Sequence, residues 1–467
     1  MNKRPVLVLL TSSWISMLGA ALVTLAGFSW LFVLPVNVNG KAVDNPYVGL
    51  VLFVAIPVVF FAGLVLIPIG IALAKRKVIE NLSQVENRRL AWRRVGIFFG
   101  VMTLANLLIA SQVSYRAVEH MDTVQFCGTT CHVMKPEFTA HSAVPPHQAV
   151  ACAECHIVPG AAGWLKAKMN GTNQMLAVMF NTFPRPIESA MENNKLVSSA
   201  DTCEQCHARD KPTALRLRVI PSYKDDEVNT RTTTVLLMRI ATIHAAHLGP
   251  GIRIRYAAAD KKRQAIPWVE YSNTQNSVSR SYFAGGTATD SVRALPTFEM
   301  QCVDCHNRAS HAFELPDRAV NRAIALGQIP PSLPFVKKEA IELLNASYSS
   351  GDEAAQKIPA AVSTFYQKYP DATVKQEAAI QATGRTLMAI YQRNVFPDLK
   401  VTWGTYPNNL GHTDAPGCFR CHDASHMTPD NKATIQQDCN ACHQAVAMDE
   451  PSPDILKTLE LTPTQNY

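Results

Sequence analysis

All 12 cysteines fall into six close pairs, and a histidine directly follows the second member of every pair. The pairs are Cys127/Cys131, Cys152/Cys155, Cys203/Cys206, Cys302/Cys305, Cys418/Cys421 and Cys439/Cys442, followed by His132, His156, His207, His306, His422 and His443. Five read C-x-x-C-H, the attachment motif of c-type haem. Two thioethers anchor the porphyrin vinyls, and the adjacent imidazole meets the iron. The first, Cys127-Gly-Thr-Thr-Cys131-His132, has one extra residue and must still span both vinyls. Disulfides suit an oxidising compartment but demand no histidine after each pair, and zinc knuckles give no reason for six of them. The spacing predicts six covalently bound c-type haems.

Eight histidines lie outside these motifs: His120, His141, His147, His244, His247, His311, His412 and His426. A six-coordinate, low-spin iron suited to electron transfer needs a second axial ligand. His147, His244, His247, His311, His412 and His426 are the expected distal ligands, with His120 and His141 undecided between ligand and packing. On a helix, His244-Ala-Ala-His247 puts both rings on one face, where they serve two nearby haems or, in a rival reading, one mononuclear metal. No C-x-x-C-K appears, which weakens a terminal-reductase reading.

The elements that must position these residues read as follows. Haems one to three crowd into Cys127–His207, and five and six into Cys418–His443, so each cofactor serves as core for its neighbours and edge-to-edge packing into a wire follows. Between the groups, Lys211–Glu299 carries alternating runs at Leu215–Ile220, Thr232–Ile240, Ile252–Tyr256 and Trp268–Tyr271, with a turn at Gly285-Gly286, predicting a small sheet. Leu315–Leu399 recurs at three- and four-residue steps, predicting scaffold helices at Lys337–Tyr348, Ala354–Tyr369 and Lys375–Arg393.

Ahead of the haem motifs lie three apolar runs, Val6–Leu34, Tyr47–Ala74 and Val95–Val113, each long enough to cross a hydrocarbon core. The first is too long for a signal peptide and lacks a cleavage site. Lys75, Arg76, Lys77, Arg88, Arg89, Arg93 and Arg94 sit between the second and third, against Lys41 alone between the first two. The positive-inside rule puts the N-terminus and that basic loop in the cytoplasm and the haem part in the periplasm of a bacterial inner membrane. Residues 1–116 hold 11 basic and three acidic groups, so the net charge of +7 belongs to the membrane flanks and is no argument for nucleic-acid binding. No Walker loop, G-x-G-x-x-G, H-E-x-x-H or G-x-S-x-G occurs.

The stretch Val118-Glu119-His120-Met121-Asp122, Phe126-Cys127-Gly128 and Cys131-His132-Val133-Met134-Lys135-Pro136-Glu137, continuing through Pro146-His147 and the motifs to His207, resembles the NapC/NirT family of membrane-anchored multihaem quinol dehydrogenases. The likeness covers the third run and first three haems, and the C-terminal part looks like an extended six-haem branch. The resemblance implies a first haem beside a quinol site, with Met134 as its protein ligand and His132 either a ligand or a supporting group. It implies a quinol-facing lysine at Lys166 or Lys168. The family's acidic position looks replaced by Asn173 or Gln174, and three spans stand where the family has one. Read as ordinary residues, Met134 is packing and the two lysines hold the chain against anionic headgroups.

The sequence therefore predicts a mainly α fold: two transmembrane helices (1–74), a cytoplasmic basic loop (75–94), a third span (95–116), a three-haem domain (117–210), a β-rich insert (211–300) and a three-haem C-terminal domain with a helical insert (301–467). The expected activity is oxidation of (mena)quinol at the outer membrane face, with electrons passed to a periplasmic acceptor protein or reductase during anaerobic respiration. The alternatives are a relay subunit docked on other membrane subunits and a terminal multihaem reductase.

Overall fold

The computed structural model describes residues 13–38, 56–81 and 119–461, without 131, 144–146, 194 and 208–214, together with separate positions between 89 and 116. The chain divides into two compact units, Met1–Phe126 and Cys127–Tyr467.

In the first unit, α1 (Trp14–Val38) packs on α2 (Ile56–Asn81) through small residues. A Cβ added to Gly19 would lie 2.7 Å from Gly63 O, and one added to Gly70 would lie 2.3 Å from Ser16 N. The two backbones thus touch, as apolar helices do where small residues meet. Among the described residues one stretch, Ile56–Leu73, is long and apolar enough to cross a membrane; Trp14–Thr24 is a shorter apolar stretch. The helix α2 runs past the expected end at Ala74 through Lys75, Arg76 and Lys77, because lysine and arginine are good helix formers. Of the expected third span, the described positions are helical and the others lie outside the described residues.

The second unit opens with α3 (Lys135–Ala143) and α4 (Ala161–Met179). A hairpin of β1 (Arg216–Tyr223) and β2 (Arg231–Met238) leads into α5 (Ile240–Leu248), followed by β3 (Ile252–Ala257), β4 (Trp268–Asn273), β5 (Val278–Ala284) and β6 (Thr297–Glu299). The scaffold helices are α6 (Pro316–Ala325), α7 (Val336–Asn345), α8 (Gly351–Tyr366) and α9 (Glu377–Asn394), and the chain returns through β7 (His426–Met427) and β8 (His443–Glu450).

The β region is not the self-contained insert expected from the sequence. It forms two antiparallel sheets, ordered β1-β2-β8 and β6-β3-β4-β5-β7, each completed by a strand from the segment around the last two cysteine motifs. Met238 pairs with His443, and Ala284 with His426. Edge strands present unpaired N–H and C=O groups, and the returning chain covers them.

The scaffold core buries Val320, Ile329, Leu333, Leu344, Ile358 and Leu387 almost completely. Inside it, Lys337 Nζ reaches Asp317 Oδ1 at 2.5 Å and Asn321 Oδ1 at 2.9 Å, which satisfies a buried ammonium. Ser350 caps α8 by accepting from Glu353 N at 3.1 Å.

Candidate functional site

The cysteine motifs are single helical turns. Cys152–His156, Cys302–Cys305 and Cys439–Cys442 are α-helical; Cys203–Gln205 and Gly417–Arg420 are 3-10 turns. In the third motif the two cysteines are placed unequally. Cys203 opens its turn half-buried, whereas Cys206 lies just past the end of it and is exposed, its N donating to Cys203 O at 3.2 Å. The reason is the tighter winding: a 3-10 turn closes from residue i to i+3, so the fourth residue of the motif becomes the cap. Cys155, Cys418 and Cys439 are exposed as well, so in motifs two, three, five and six the polypeptide leaves one cysteine open to solvent.

The first motif differs again: Phe126–Thr130 is a π-helical turn. A wider turn is how a helix absorbs one extra residue, and this motif has that residue. Cys131 lies outside the described residues. His132 opens a 3-10 turn ending at the half-buried Met134.

Five motif histidines each face one histidine from outside the motifs. Ring centroids are 6.3 Å apart for His156 and His311, 6.1 Å for His207 and His147, and 6.3 Å for His306 and His244. They are 5.8 Å apart for His422 and His247, and 6.2 Å for His443 and His412. Two imidazoles bound to opposite sides of one metal, each through a bond of about 2.0 Å, place their centroids about 6.4 Å apart. The residues present therefore fit a bis-histidine iron at motifs two to six. Both members of His244-Ala-Ala-His247 lie on α5 and face different motifs, which answers the mononuclear-metal reading. Among the described residues no cluster of three or more His, Cys, Asp or Glu could hold a metal ion.

Backbone carbonyls orient several of these rings. His147 Nδ1 is 3.1 Å from Ala309 O, His244 Nδ1 3.0 Å from Ile240 O, His247 Nδ1 2.7 Å from Ile243 O, and His422 Nδ1 3.0 Å from Gln436 O. A carbonyl only accepts, so each Nδ1 carries the proton and each Nε2 keeps its lone pair for a metal. His412 is steered differently, stacking on Phe419 at 4.3 Å. Burial favours the neutral ring: it lowers the pKa of His156, His247 and His306, and with the charge of Arg308 drives His311 down to about 3.

Other expected residues are placed elsewhere. His426 is buried, with Nδ1 2.9 Å from Asp423 Oδ1 and Nε2 2.7 Å from Ile266 O. Both nitrogens stand against acceptors, and the side chain ties β7 to the loop before β4. His141 is buried on α3 beside Ser310 Oγ at 2.6 Å, and His120 is exposed against Phe126. Lys166 is exposed and Lys168 half-buried on α4, the latter's Nζ 5.6 Å from the Trp164 ring centroid. That helix also exposes Leu165, Met169, Leu176 and Met179, and Asn173 and Gln174 are exposed on it.

Sequence reasoning missed a buried polar group between motifs four and five: Asp304, inside Cys302–Cys305, and Arg420, inside Cys418–Cys421, with Arg263 and Tyr256. The only signal was a charged residue in each of the two loops.

The cytochrome c-type protein ImcH of Geobacter sulfurreducens is 36% identical to this chain over 458 residues, covering 92% of the chain and 87% of its own length. No family model and no solved structure matches, so the NapC/NirT likeness rests on the motifs around the first three haem sites alone.

Proposed function

The chain belongs to the family of the cytochrome c-type protein ImcH, and from that footing we propose a membrane-anchored, six-haem cytochrome that oxidises (mena)quinol and passes the electrons to a periplasmic acceptor. A cytochrome c-type relative at this likeness implies covalently bound c-type haem. Each such haem, when bound, cycles one electron at its iron. The chain's own contribution is ligation, distance and electrostatics.

The observation that carries the reading is the set of five histidine pairs. We assign His311 to the second site, His147 to the third, His244 to the fourth, His247 to the fifth and His412 to the sixth. At sites two to six, two histidines each would leave no open position for a small oxidant, which disfavours a terminal reductase there. The first site keeps His132 or Met134 as its ligand.

Contacts between motifs support a route in sequence order. The Cys127 side chain lies beside that of Cys152, and His147, the third site's distal ligand, lies five residues before Cys152. The Cys203 side chain lies beside that of Cys302, and Ser199 N donates to Gln301 Oε1 at 2.9 Å. Arg420 Nη2 donates to Asp304 O at 2.6 Å, joining sites four and five. Arg239 N donates to Cys442 O at 2.9 Å, bringing the start of α5 against site six. Quinol enters at the other end of this series, beside the first site, where Lys166 and Lys168 on the apolar-faced α4 hold its oxygen atoms.

The test is to mix detergent-purified, oxidised protein with a reduced menaquinol analogue and follow haem absorbance, with and without a quinol-site inhibitor. Fast, inhibitor-sensitive reduction that Lys166→Ala or Lys168→Ala slows supports the site. Reduction by dithionite but not by quinol moves the assignment to a relay subunit fed by a partner.

A further inference from the structure

The fourth and fifth attachment loops are joined around two buried guanidinium groups and one buried carboxylate. Asp304 is 2% exposed, Arg263 8% and Arg420 9%. Asp304 Oδ2 accepts from Gln301 N at 2.7 Å; its Oδ1 accepts from the Tyr256 hydroxyl and from Arg263 Nη1 at 3.3 Å. The one carboxylate is therefore matched by Arg263, which also lies 3.7 Å from the Phe298 ring centroid.

Arg420 is held in another way. Its Nε donates to Gly417 O at 2.9 Å, its Nη1 to Arg263 O at 2.9 Å and its Nη2 to Asp304 O at 2.6 Å. All three acceptors are neutral main-chain carbonyls, and among the described residues no carboxylate stands at ion-pair distance from it. Carbonyl dipoles satisfy the donors without cancelling the charge. The side chains of Arg263, Asp304 and Arg420 by themselves sum to one positive charge, held where screening by water is weak. Its location is fixed by covalent structure: Asp304 and Arg420 sit between the paired cysteines of motifs four and five. The surrounding loop is tight, since a Cβ on Gly417, at φ +51°, would lie 1.7 Å from Gly411 O.

We propose that Arg420 is a positioning residue with an electrostatic role. It clamps the fourth attachment loop to the fifth and, as a buried cation without a carboxylate of its own, raises the midpoint potentials of the haems held there. One-electron reduction takes ferric iron to ferrous and removes one positive charge from the site, so a fixed neighbouring cation favours the reduced form. The assignment requires haem at motifs four and five and is independent of quinol oxidation.

The test is dye-mediated potentiometric titration of the full-length, detergent-purified holoprotein, with pyridine haemochrome counts alongside. No quinol is present, so failure here is separate from failure of the quinol reading. Arg420→Gln is expected to lower one or two of the six one-electron potentials, Arg420→Lys to leave them near wild type, and Asp304→Asn, which removes the opposing charge, to raise them. A merely structural role predicts shifts of one sign or none. At full haem count, Arg420→Gln and Asp304→Asn moving potentials the same way, or neither moving them, overturns the proposal. If Arg420→Gln fails to load haem, Asp304→Asn decides alone: a rise supports the assignment, and no change or a fall ends it.

Discussion

The scaffold helices and the stretch with the first three cysteine motifs are nearly equal in length and opposite in construction. From Ala319 to Val395, 20 apolar side chains are buried; from Cys127 to His207, the described residues bury four, namely Val133, Ala140, Met191 and Val197. The scaffold closes on itself, with α8 against α9 and Leu344, Ile358 and Leu387 at its centre. The motif-bearing stretch instead carries α4, whose apolar residues Leu165, Met169 and Met179 face outward. Burial at about 25 cal/mol per Å² of apolar surface therefore contributes far more to the first region than to the second. The difference is one of construction: the scaffold closes on its own side chains, and the stretch with the first three cysteine motifs does not.

The largest effect should come from withholding the cofactor. Full-length chain made in a host without cytochrome c maturation is expected to be cut by protease within Cys127–His207 and Cys418–His443, while α6 to α9 stay protected. Equal protection of both regions would contradict the contrast between them. Next in size, Ile358→Ala in the scaffold should cost roughly 2–5 kcal/mol of stability, read by denaturant unfolding, with an unchanged haem spectrum. A spectral change would show that the scaffold is not independent of the haem sites.

His247→Ala should be milder for the fold and visible in the cofactor. One haem of six is expected to turn from low-spin to high-spin in absorbance and EPR while the covalent haem count holds at six. His412→Ala should do the same at a different haem. The smallest spectral effect belongs to His426→Asn, which removes a buried double donor at a cost of about 1–3 kcal/mol and should leave every haem low-spin. A high-spin signal there would return His426 to the ligand set.

Parts of this organisation were legible before any fold was known. The helical periods at Ala354–Tyr369 and Lys375–Arg393 correspond to α8 and α9, because amphipathic spacing is a local property. The strands β1 to β4 were readable by alternation. The short α6 escaped notice, as did β5, whose half-exposed residues alternate weakly. The sheets' completion by β7 and β8 was beyond reach, since pairing across more than 140 residues has no local signature.

The same boundary runs through the site. Spacing along the chain suffices to single out the 12 paired cysteines and six motif histidines, because two thiols and an imidazole on about one helical turn are a local arrangement. It also suffices to place His244 and His247 on one helix face, as they are on α5. Which distant histidine meets which motif depends on the folded chain: His156 meets His311 across 155 residues, and His147 reaches forward past one motif to His207. Folding likewise separates His412 from His426, two histidines of one type flanking the same motif. One stacks on Phe419 and faces His443; the other spends both nitrogens on Asp423 and Ile266. A metal ligand needs a free lone pair at the right distance, and chain order encodes neither.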